Sequence, residues 1–149
     1  MNLPIKKLNE NATIPTYGSA DAAGMDLYAL LDEPEITIAP GETKFVHTGI
    51  AVAIPTGYVG LLFARSGLAC KKGLAPANKV GVIDADYRGE IMVALHNHNE
   101  ANSSAITISN KERIAQLSII PFIQPTLKEV DDLDNTVRGE GGFGSTGTN

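Results

Sequence analysis

One ten-residue stretch decides how this chain is organised: Gly81-Val-Ile-Asp-Ala-Asp-Tyr-Arg-Gly-Glu90. Its β-branched pair, Val82 and Ile83, favours a strand, and the residues that follow favour a tight turn. That turn carries two carboxylates, a tyrosine and an arginine, which is more ionisable chemistry than a connecting hairpin needs. The stretch therefore indicates a strand and turn that hold a functional site.

Short strand patterns lie on both sides of this stretch. Alternating apolar residues predict strands over residues 46–54, stopped by Pro55 and Gly57, and over residues 58–64. Turn residues recur about every 8–12 residues, which is typical of a sandwich or barrel rather than of βαβ units. Further strands are predicted over residues 25–29, 34–38, 80–83, 90–97, 105–108 and 114–123. In the first of these, the alternation of Met25, Leu27 and Ala29 predicts a buried face. We therefore expect an all-β domain.

The one convincing helix pattern is short. Ser66 can cap the amides of a helix of about two turns that ends at Gly73. Arg65, Ser66 and Gly67 stand at the start of this helix, where amide groups and the helix dipole favour an anion. A plain N-cap is the equally valid alternative, and the pattern alone leaves both open.

Composition limits the classes of protein that this chain can represent. Its 149 residues form one domain, and a formal charge of −5 excludes a general nucleic-acid binder, which needs a basic surface. Cys70 is the single cysteine, so an intrachain disulfide is impossible. No apolar run approaches the ~20 residues of a membrane span, and residues 1–7 lack the apolar core of a signal peptide. We expect a soluble, cytoplasmic protein.

The glycine-rich end of the chain has two interpretations. Residues 139–144 fit G-x-G-x-x-G, but a dinucleotide fold needs a strand before and a helix after this motif, so that fold is rejected. A disordered tail is one interpretation. The other is a mobile segment that a ligand orders, with Arg138 suited to a phosphate and Phe143 to stacking on a base.

Other polar residues also leave two readings open. Asp84 is a candidate general base or an aspartate in a turn. Gln116 alternates away from the apolar face of the last strand, as a satisfied hydrogen-bonding group or as a ligand. His96 and His98 share one strand face and could bind a transition metal, but no third ligand is visible, which favours a polar strand end.

Five segments stand in order along the chain: Ala23-Gly-Met-Asp-Leu, Ala64-Arg-Ser-Gly-Leu-Ala, Asn78 with Gly81-Val-Ile-Asp-Ala-Asp-Tyr-Arg-Gly, Arg113-Ile-Ala-Gln-Leu, and Arg138-Gly-Glu-Gly-Gly-Phe-Gly-Ser-Thr-Gly. They span residues 23 to 147, nearly the whole chain. Together they resemble the motifs of the trimeric dUTP pyrophosphatase (dUTPase) family. One departure is Lys111-Glu112, where the family commonly has Gly-Asp.

The resemblance implies a fold and an activity. The implied fold is a jelly-roll-like β-barrel (β-clip) over residues 1–137, with a mobile lid over residues 138–149. The implied assembly is a homotrimer with sites at subunit interfaces, each closed by the tail of another subunit. The implied reaction is Mg²⁺-dependent hydrolysis of dUTP to dUMP and pyrophosphate, which keeps uracil out of DNA and supplies dUMP for dTMP synthesis.

It also implies a role for each matched residue. Asp84 matches the base that activates water for attack on the α-phosphorus, and Tyr87 the ring that packs on deoxyribose and excludes a 2′-hydroxyl. Asp26 matches a carboxylate near the metal and triphosphate, acting on Mg²⁺ through water. The uracil pocket matches Asn78, Gly81, Val82 and Ile83; phosphate-side contacts match Arg65, Ser66, Gly67 and Gln116; the lid matches Arg138, Phe143, Gly144, Ser145 and Thr146.

Two other functions fit the same fold. A dCTP deaminase of related fold would attack the base, and would need a carboxylate beside C4 rather than a phosphate lid that carries a phenylalanine. A non-catalytic dUTP-binding regulatory module would keep the fold without turnover. Retention of every expected polar group weighs against the second alternative.

Overall fold

The computed structural model describes residues 1–142. Within this range the chain forms twelve β-strands and one α-helix, so the expected all-β class is confirmed. The elements in chain order are β1 (Ile5–Lys7), β2 (Thr16–Tyr17), β3 (Met25–Tyr28), β4 (Glu35–Ile38), β5 (Thr43–Val46), β6 (Ile50–Val52), β7 (Tyr58–Ala64), α1 (Ser66–Lys72), β8 (Leu74–Pro76), β9 (Gly81–Ile83), β10 (Val93–Asn97), β11 (Ile106–Ser109) and β12 (Arg113–Pro121). No helix within residues 1–142 has the length and hydropathy needed to cross a bilayer.

The strands pair antiparallel and mostly with partners distant in sequence. A five-stranded sheet has the order β2-β3-β12-β7-β9, and a three-stranded sheet has the order β5-β10-β8. Strand β1 pairs with β6, and β11 pairs with β4. In the five-stranded sheet β12 lies between β3 and β7, which brings the first, second and fourth matched motifs to neighbouring strands.

The core follows the alternation seen in the sequence. Met25, Leu27 and Ala29 are buried as predicted, and Ala115 and Leu117 on the facing strand β12 are fully buried. Each alternate position points to the opposite face of the sheet. The apolar face of β3 and β12 therefore packs inward, and the residues between face the other side.

The predicted strand over residues 46–54 is wrong, because the chain forms two strands there. Strand β5 ends at Val46 and β6 begins at Ile50. Between them Gly49 has φ of +67°, a left-handed conformation that glycine adopts without strain. A Cβ at this position would lie 2.6 Å from Leu30 Cδ2. The alternation continued across the break, so the pattern did not reveal it.

The predicted cap of the helix is also wrong. Ser66 is the first residue of α1, Arg65 occupies the N-cap position, and its side chain forms no capping hydrogen bond. The helix ends as predicted at Gly73, whose φ is +71°. Strand β8 was missed, β10 begins at Val93 rather than at residue 90, and β12 ends at Pro121 rather than at residue 123.

The turn that precedes β12 contains the departure from the family motif. Lys111 has φ of +65°, a conformation that costs a non-glycine residue about 1–2 kcal/mol. The turn is nonetheless closed: the Lys111 amide donates to the Ala29 carbonyl (2.9 Å), and the Ser109 amide donates to the Glu112 carboxylate (3.0 Å). The backbone therefore has a geometry suited to glycine, and Lys111 adopts it under strain.

We expect Lys111→Gly to be more stable than Lys111→Ala by about 0.5–1 kcal/mol in free energy of unfolding. Both variants remove the same side chain, but only glycine relieves the left-handed strain. The greater entropy that glycine loses on folding offsets part of this gain. Urea unfolding of the two variants measures the difference, and equal stability would show that the turn is unstrained.

Candidate functional site

A buried carboxylate lies at the centre of the first cluster of matched residues. Asp26 on β3 faces Gln116 on β12, away from the core, yet its side chain is only 4% exposed. Arg65 Nε donates to Oδ1 at 3.0 Å and Arg113 Nη1 donates to Oδ2 at 3.1 Å. Gln116 Nε2 donates to Oδ1 at 3.4 Å. Two segments distant in sequence, at Arg65 and at the start of β12, therefore converge on Asp26.

These contacts determine what the cluster can bind. Both oxygens of Asp26 are occupied, so this carboxylate orients its donors and is not open to direct contact with a metal ion. Arg65 is fixed further by donating Nη1 to the Arg113 carbonyl at 3.1 Å. Two guanidinium groups against one carboxylate leave a net charge of +1, which favours an anion. Ser66 and Gly67 are exposed beside Arg65 at the start of α1.

A second group of matched residues lines one cleft at the turn. Its volume is about 240 Å³, and its walls include Asn78, Gly81, Val82, Ile83 and Tyr87. These are the residues that the resemblance matches to the uracil pocket, together with the one matched to deoxyribose packing. A Cβ at residue 81 would lie 3.1 Å from the Leu62 side chain, so the strand there has little room for anything larger than glycine.

Two exposed apolar residues of this cleft were missed by sequence reasoning. Phe45 on β5 and Met92 are 69% and 43% exposed, although both line the cleft. Phe45 lies opposite Ala94 of β10, which brings the three-stranded sheet to the edge of the cleft. No signal in the sequence separates these residues from other apolar strand positions.

The Tyr87 ring is held by its own turn. Its hydroxyl donates to the Glu90 carbonyl at 2.9 Å. The ring folds over Gly89, where any Cβ would overlap it. Arg88 donates to the Ala85 and Tyr87 carbonyls, so this arginine shapes the turn.

Glu90 was part of the organising stretch but had no predicted role. Its carboxylate accepts hydrogen bonds from the amides of Gly49 (2.7 Å) and Thr48 (3.2 Å), and from His47 Nδ1 (2.8 Å). Burial raises the pKa of Glu90, but the hydrogen bonds from His47 and the two amides outweigh it, and the pKa lies below its ordinary value. The ionised form is therefore the one that the fold stabilises.

This shift has a consequence for stability against pH. Since the folded-state pKa of Glu90 is depressed, its ionised carboxylate stabilises the fold above the unfolded value of about 4.3 and loses that contribution as the pH falls. We expect Glu90→Gln to be less stable than the wild type at pH 7, and the gap to narrow below about pH 4. Thermal unfolding between pH 3 and pH 7 measures this, and a constant gap would contradict it.

Asp84 directly follows Ile83, which lines the cleft, but does not itself line the cleft. Its side chain is exposed and lines two hollows, one with Thr56, Arg88 and Gln124 and one with Tyr58 and Phe122. Strands β3 and β9, which carry the carboxylate cluster and the cleft wall, are three strand spacings apart, or about 14 Å. The described part of a single chain therefore holds the carboxylate cluster away from the cleft wall and from Asp84, which directly follows β9.

The lid residues are only partly described. Arg138 is exposed and donates Nε to the Gly141 carbonyl at 2.7 Å. Phe143, Gly144, Ser145 and Thr146 lie outside the described residues. The segment from residue 122 to residue 142 contains neither helix nor strand, and Leu127, Leu133 and Val137 along it are exposed.

The histidine pair belongs to the end of β10. The rings of His96 and His98 meet edge to face with centroids 4.4 Å apart, and His96 Nδ1 lies 2.8 Å from Thr43 Oγ1. Burial, with the nearby charges of Lys79 and His96, lowers the pKa of His98. Among residues 1–142 no group of three histidine, cysteine or acidic side chains is placed to hold a metal ion.

Known proteins resemble this chain over nearly its whole length. The model of the dUTPase family matches residues 10–147. A deoxyuridine 5'-triphosphate nucleotidohydrolase of Nautilia profundicola is 49% identical over 147 residues, covering 99% of this chain and 99% of that relative. The enzyme of the same name from Syntrophotalea carbinolica is 46% identical, covering 99% and 97%. The chain belongs to the dUTPase family.

Solved structures of dUTPases share the fold. A mutant dUTPase of Staphylococcus bacteriophage 80alpha, determined with dUpNHpp, has a TM-score of 0.89 at 32% identity and covers 99% of both chains. A mutant dUTPase of phage phi11 of S. aureus, described with a structural Mg(II) ion, has a TM-score of 0.79 at 30% identity, covering 89% of this chain and 98% of the other. The expected jelly-roll-like β-barrel is thereby confirmed.

Proposed function

We propose that this dUTPase-family chain hydrolyses dUTP to dUMP and pyrophosphate, and so serves nucleotide metabolism by limiting uracil in DNA and supplying dUMP for dTMP synthesis. One observation carries the proposal: the residues matched to uracil and deoxyribose, including Asn78, Gly81 and Tyr87, line one cleft of about 240 Å³. The relatives named for dUTP hydrolysis, and a relative determined with the dUTP analogue dUpNHpp, agree with it.

In the proposed mechanism each group of residues has a separate task. Asp84 removes a proton from the water that attacks the α-phosphorus in line, and a positioned base of this kind is worth roughly 10²–10⁴ in rate. Arg65 and Gln116, both oriented by Asp26, contact the phosphates and stabilise the charge that develops there. Ser66 and Gly67 add a hydroxyl and an amide at the start of α1.

The proposed cofactor is Mg²⁺ bound to the triphosphate. Magnesium retains several waters and usually binds through substrate phosphates with one or two carboxylates, so a metal cage built by the protein is unnecessary. Asp26 fits only as a contact through water, because Arg65, Arg113 and Gln116 occupy its oxygens. When bound, the ion neutralises phosphate charge.

The proposed assembly is a homotrimer with sites between subunits. The Asp26 cluster on β3 lies about 14 Å from β9, which forms the cleft wall and leads into Asp84, and an interface would bring the cluster of one subunit to the cleft of another around one nucleotide. We propose that residues 1–137 form the barrel and residues 138–149 the lid. Phe143 would stack on uracil, while Arg138, Gly144, Ser145 and Thr146 would close over the phosphates. The proposed compartment is the cytoplasm.

Separate incubation with dUTP and dCTP tests the proposal. We expect pyrophosphate and dUMP from dUTP, without ammonia from either nucleotide. Ammonia from dCTP would establish a deaminase in place of the proposed hydrolase. Tight binding of dUTP without turnover would establish a regulatory module.

A further inference from the structure

The hydroxyl of Tyr87 depends on the main chain of Glu90. It donates to the Glu90 carbonyl at 2.9 Å, so the direction of that carbonyl decides where the ring lies. The same residue sends its carboxylate the other way, to the loop between β5 and β6, where it accepts from the amides of Thr48 and Gly49. Glu90 thus joins two segments that are about 40 residues apart along the chain.

The loop that Glu90 reaches is itself rigid. Gly49 is buried with φ of +67°, and Thr48 is 1% exposed. Thr48 Oγ1 donates to the Ile91 carbonyl at 2.6 Å, and the Ile91 amide donates to the Ile50 carbonyl at 2.8 Å. Ile91, the residue after Glu90, is therefore hydrogen-bonded to the same segment, residues 48–50, that holds the Glu90 carboxylate.

We propose that Glu90 is a positioning residue for nucleotide selection: by bonding to the loop at residues 47–49, it holds its own carbonyl in the direction that fixes the Tyr87 ring in the cleft. The inference rests on the proposed function and on the role that the family resemblance implies for Tyr87, whose ring would exclude the 2′-hydroxyl of a ribonucleotide. Glu90 itself need not touch the reacting atoms. Its contribution is to keep Tyr87 from turning away and admitting UTP.

The three hydrogen-bond donors to the Glu90 carboxylate contribute unequally to holding it in position. The Gly49 and Thr48 amides belong to the rigid loop, whereas the His47 side chain is 58% exposed and can move. An exposed ion pair stabilises little. The two amide bonds therefore do most of the positioning, and His47→Ala serves as a matched control that removes the third partner and spares the other two.

The first experiment measures kcat/KM of the full-length protein for dUTP and for UTP. We expect Glu90→Ala to lower the preference for dUTP over UTP by about tenfold, chiefly by improving the use of UTP. Glu90→Gln should stay within about twofold of the wild type, because its amide oxygen still accepts from Gly49 and Thr48. His47→Ala should also keep the wild-type preference. An unchanged preference in Glu90→Ala would overturn the proposal.

A double-mutant cycle separates positioning from a general structural effect. Tyr87→Phe removes the hydroxyl that Glu90 acts through, so Glu90→Ala should change the preference no further in the Tyr87→Phe background. Additive losses would overturn the proposal. If Glu90→Ala does not fold, Glu90→Asp takes its place. Aspartate keeps the charge but is too short by one methylene to accept from both the Thr48 and the Gly49 amides. Glu90→Asp should therefore also lower the preference for dUTP over UTP.

Hydrogen exchange provides a readout that does not need activity. We expect Glu90→Ala to speed exchange both at residues 47–50 and at residues 86–91, with the strands β3 and β12 unchanged. Faster exchange at residues 47–50 alone would overturn the coupling. A wild-type protein that does not hydrolyse dUTP would refute the proposed function instead, and exchange would still decide whether Glu90 holds the Tyr87 turn.

Discussion

Asp84→Asn is expected to lower kcat for dUTP by about 10²–10⁴-fold and to leave KM nearly unchanged. Asparagine has the shape of aspartate but cannot take a proton from the attacking water. The Asp84 side chain is exposed, and within residues 1–142 it forms no ion pair, so the substitution should cost little stability. The lost rate can therefore be assigned to chemistry rather than to unfolding.

Asp86→Asn is the matched control, because Asp86 is also exposed, lies two residues further along and lines one of the same hollows. Steady-state release of pyrophosphate gives kcat and KM, and calorimetry with dUpNHpp gives binding without turnover. We expect only Asp84→Asn to lose turnover while it still binds the analogue. A wild-type kcat in Asp84→Asn would remove this residue from its proposed role, and equal losses in both variants would point to charge rather than to a base.

Local patterns in the sequence predicted the residues whose neighbours are close along the chain. The alternation of Met25, Leu27 and Ala29 correctly predicted the buried face of β3. Gly81, Val82, Ile83 and Tyr87 of the organising stretch line one cleft, whereas Asp84 of the same stretch does not. In both cases the periodicity of a strand or the closure of a short turn is enough to bring the side chains together.

Local patterns could not predict features that depend on contacts between residues distant in sequence. The burial of Asp26 requires Arg65 and Arg113, which lie 39 and 87 residues further along the chain. The link from Glu90 to Gly49 spans 41 residues. In the sequence, an aspartate between apolar residues predicts only a polar face of a strand, and a glutamate after a turn predicts only an exposed side chain. The hydrogen-bond partners of both residues follow from the order of the strands in the sheets. The family resemblance covered residue roles but not these contacts.

The second large effect is expected from Asp26→Asn, which keeps the shape of the buried side chain but removes its charge. Each hydrogen bond between charged groups contributes about 1.5–3 kcal/mol. The pair with Arg113 must be discounted because that side chain is 49% exposed, whereas Arg65 is 24% exposed. We therefore expect the free energy of unfolding to fall by about 2–4 kcal/mol.

The same substitution should lower kcat/KM for dUTP by about 10²-fold, because Arg65 and Gln116 would no longer be held in the direction of the phosphates. Asp21→Asn, an exposed aspartate in the loop before β3, is the control and should change neither quantity. Urea unfolding and initial rates at a temperature where both variants remain folded separate the two effects. If Asp26→Asn lost stability but kept its full kcat/KM, the carboxylate would stabilise the sheet without orienting the phosphate contacts. The position of the Arg65 side chain would then depend on contacts other than that with Asp26.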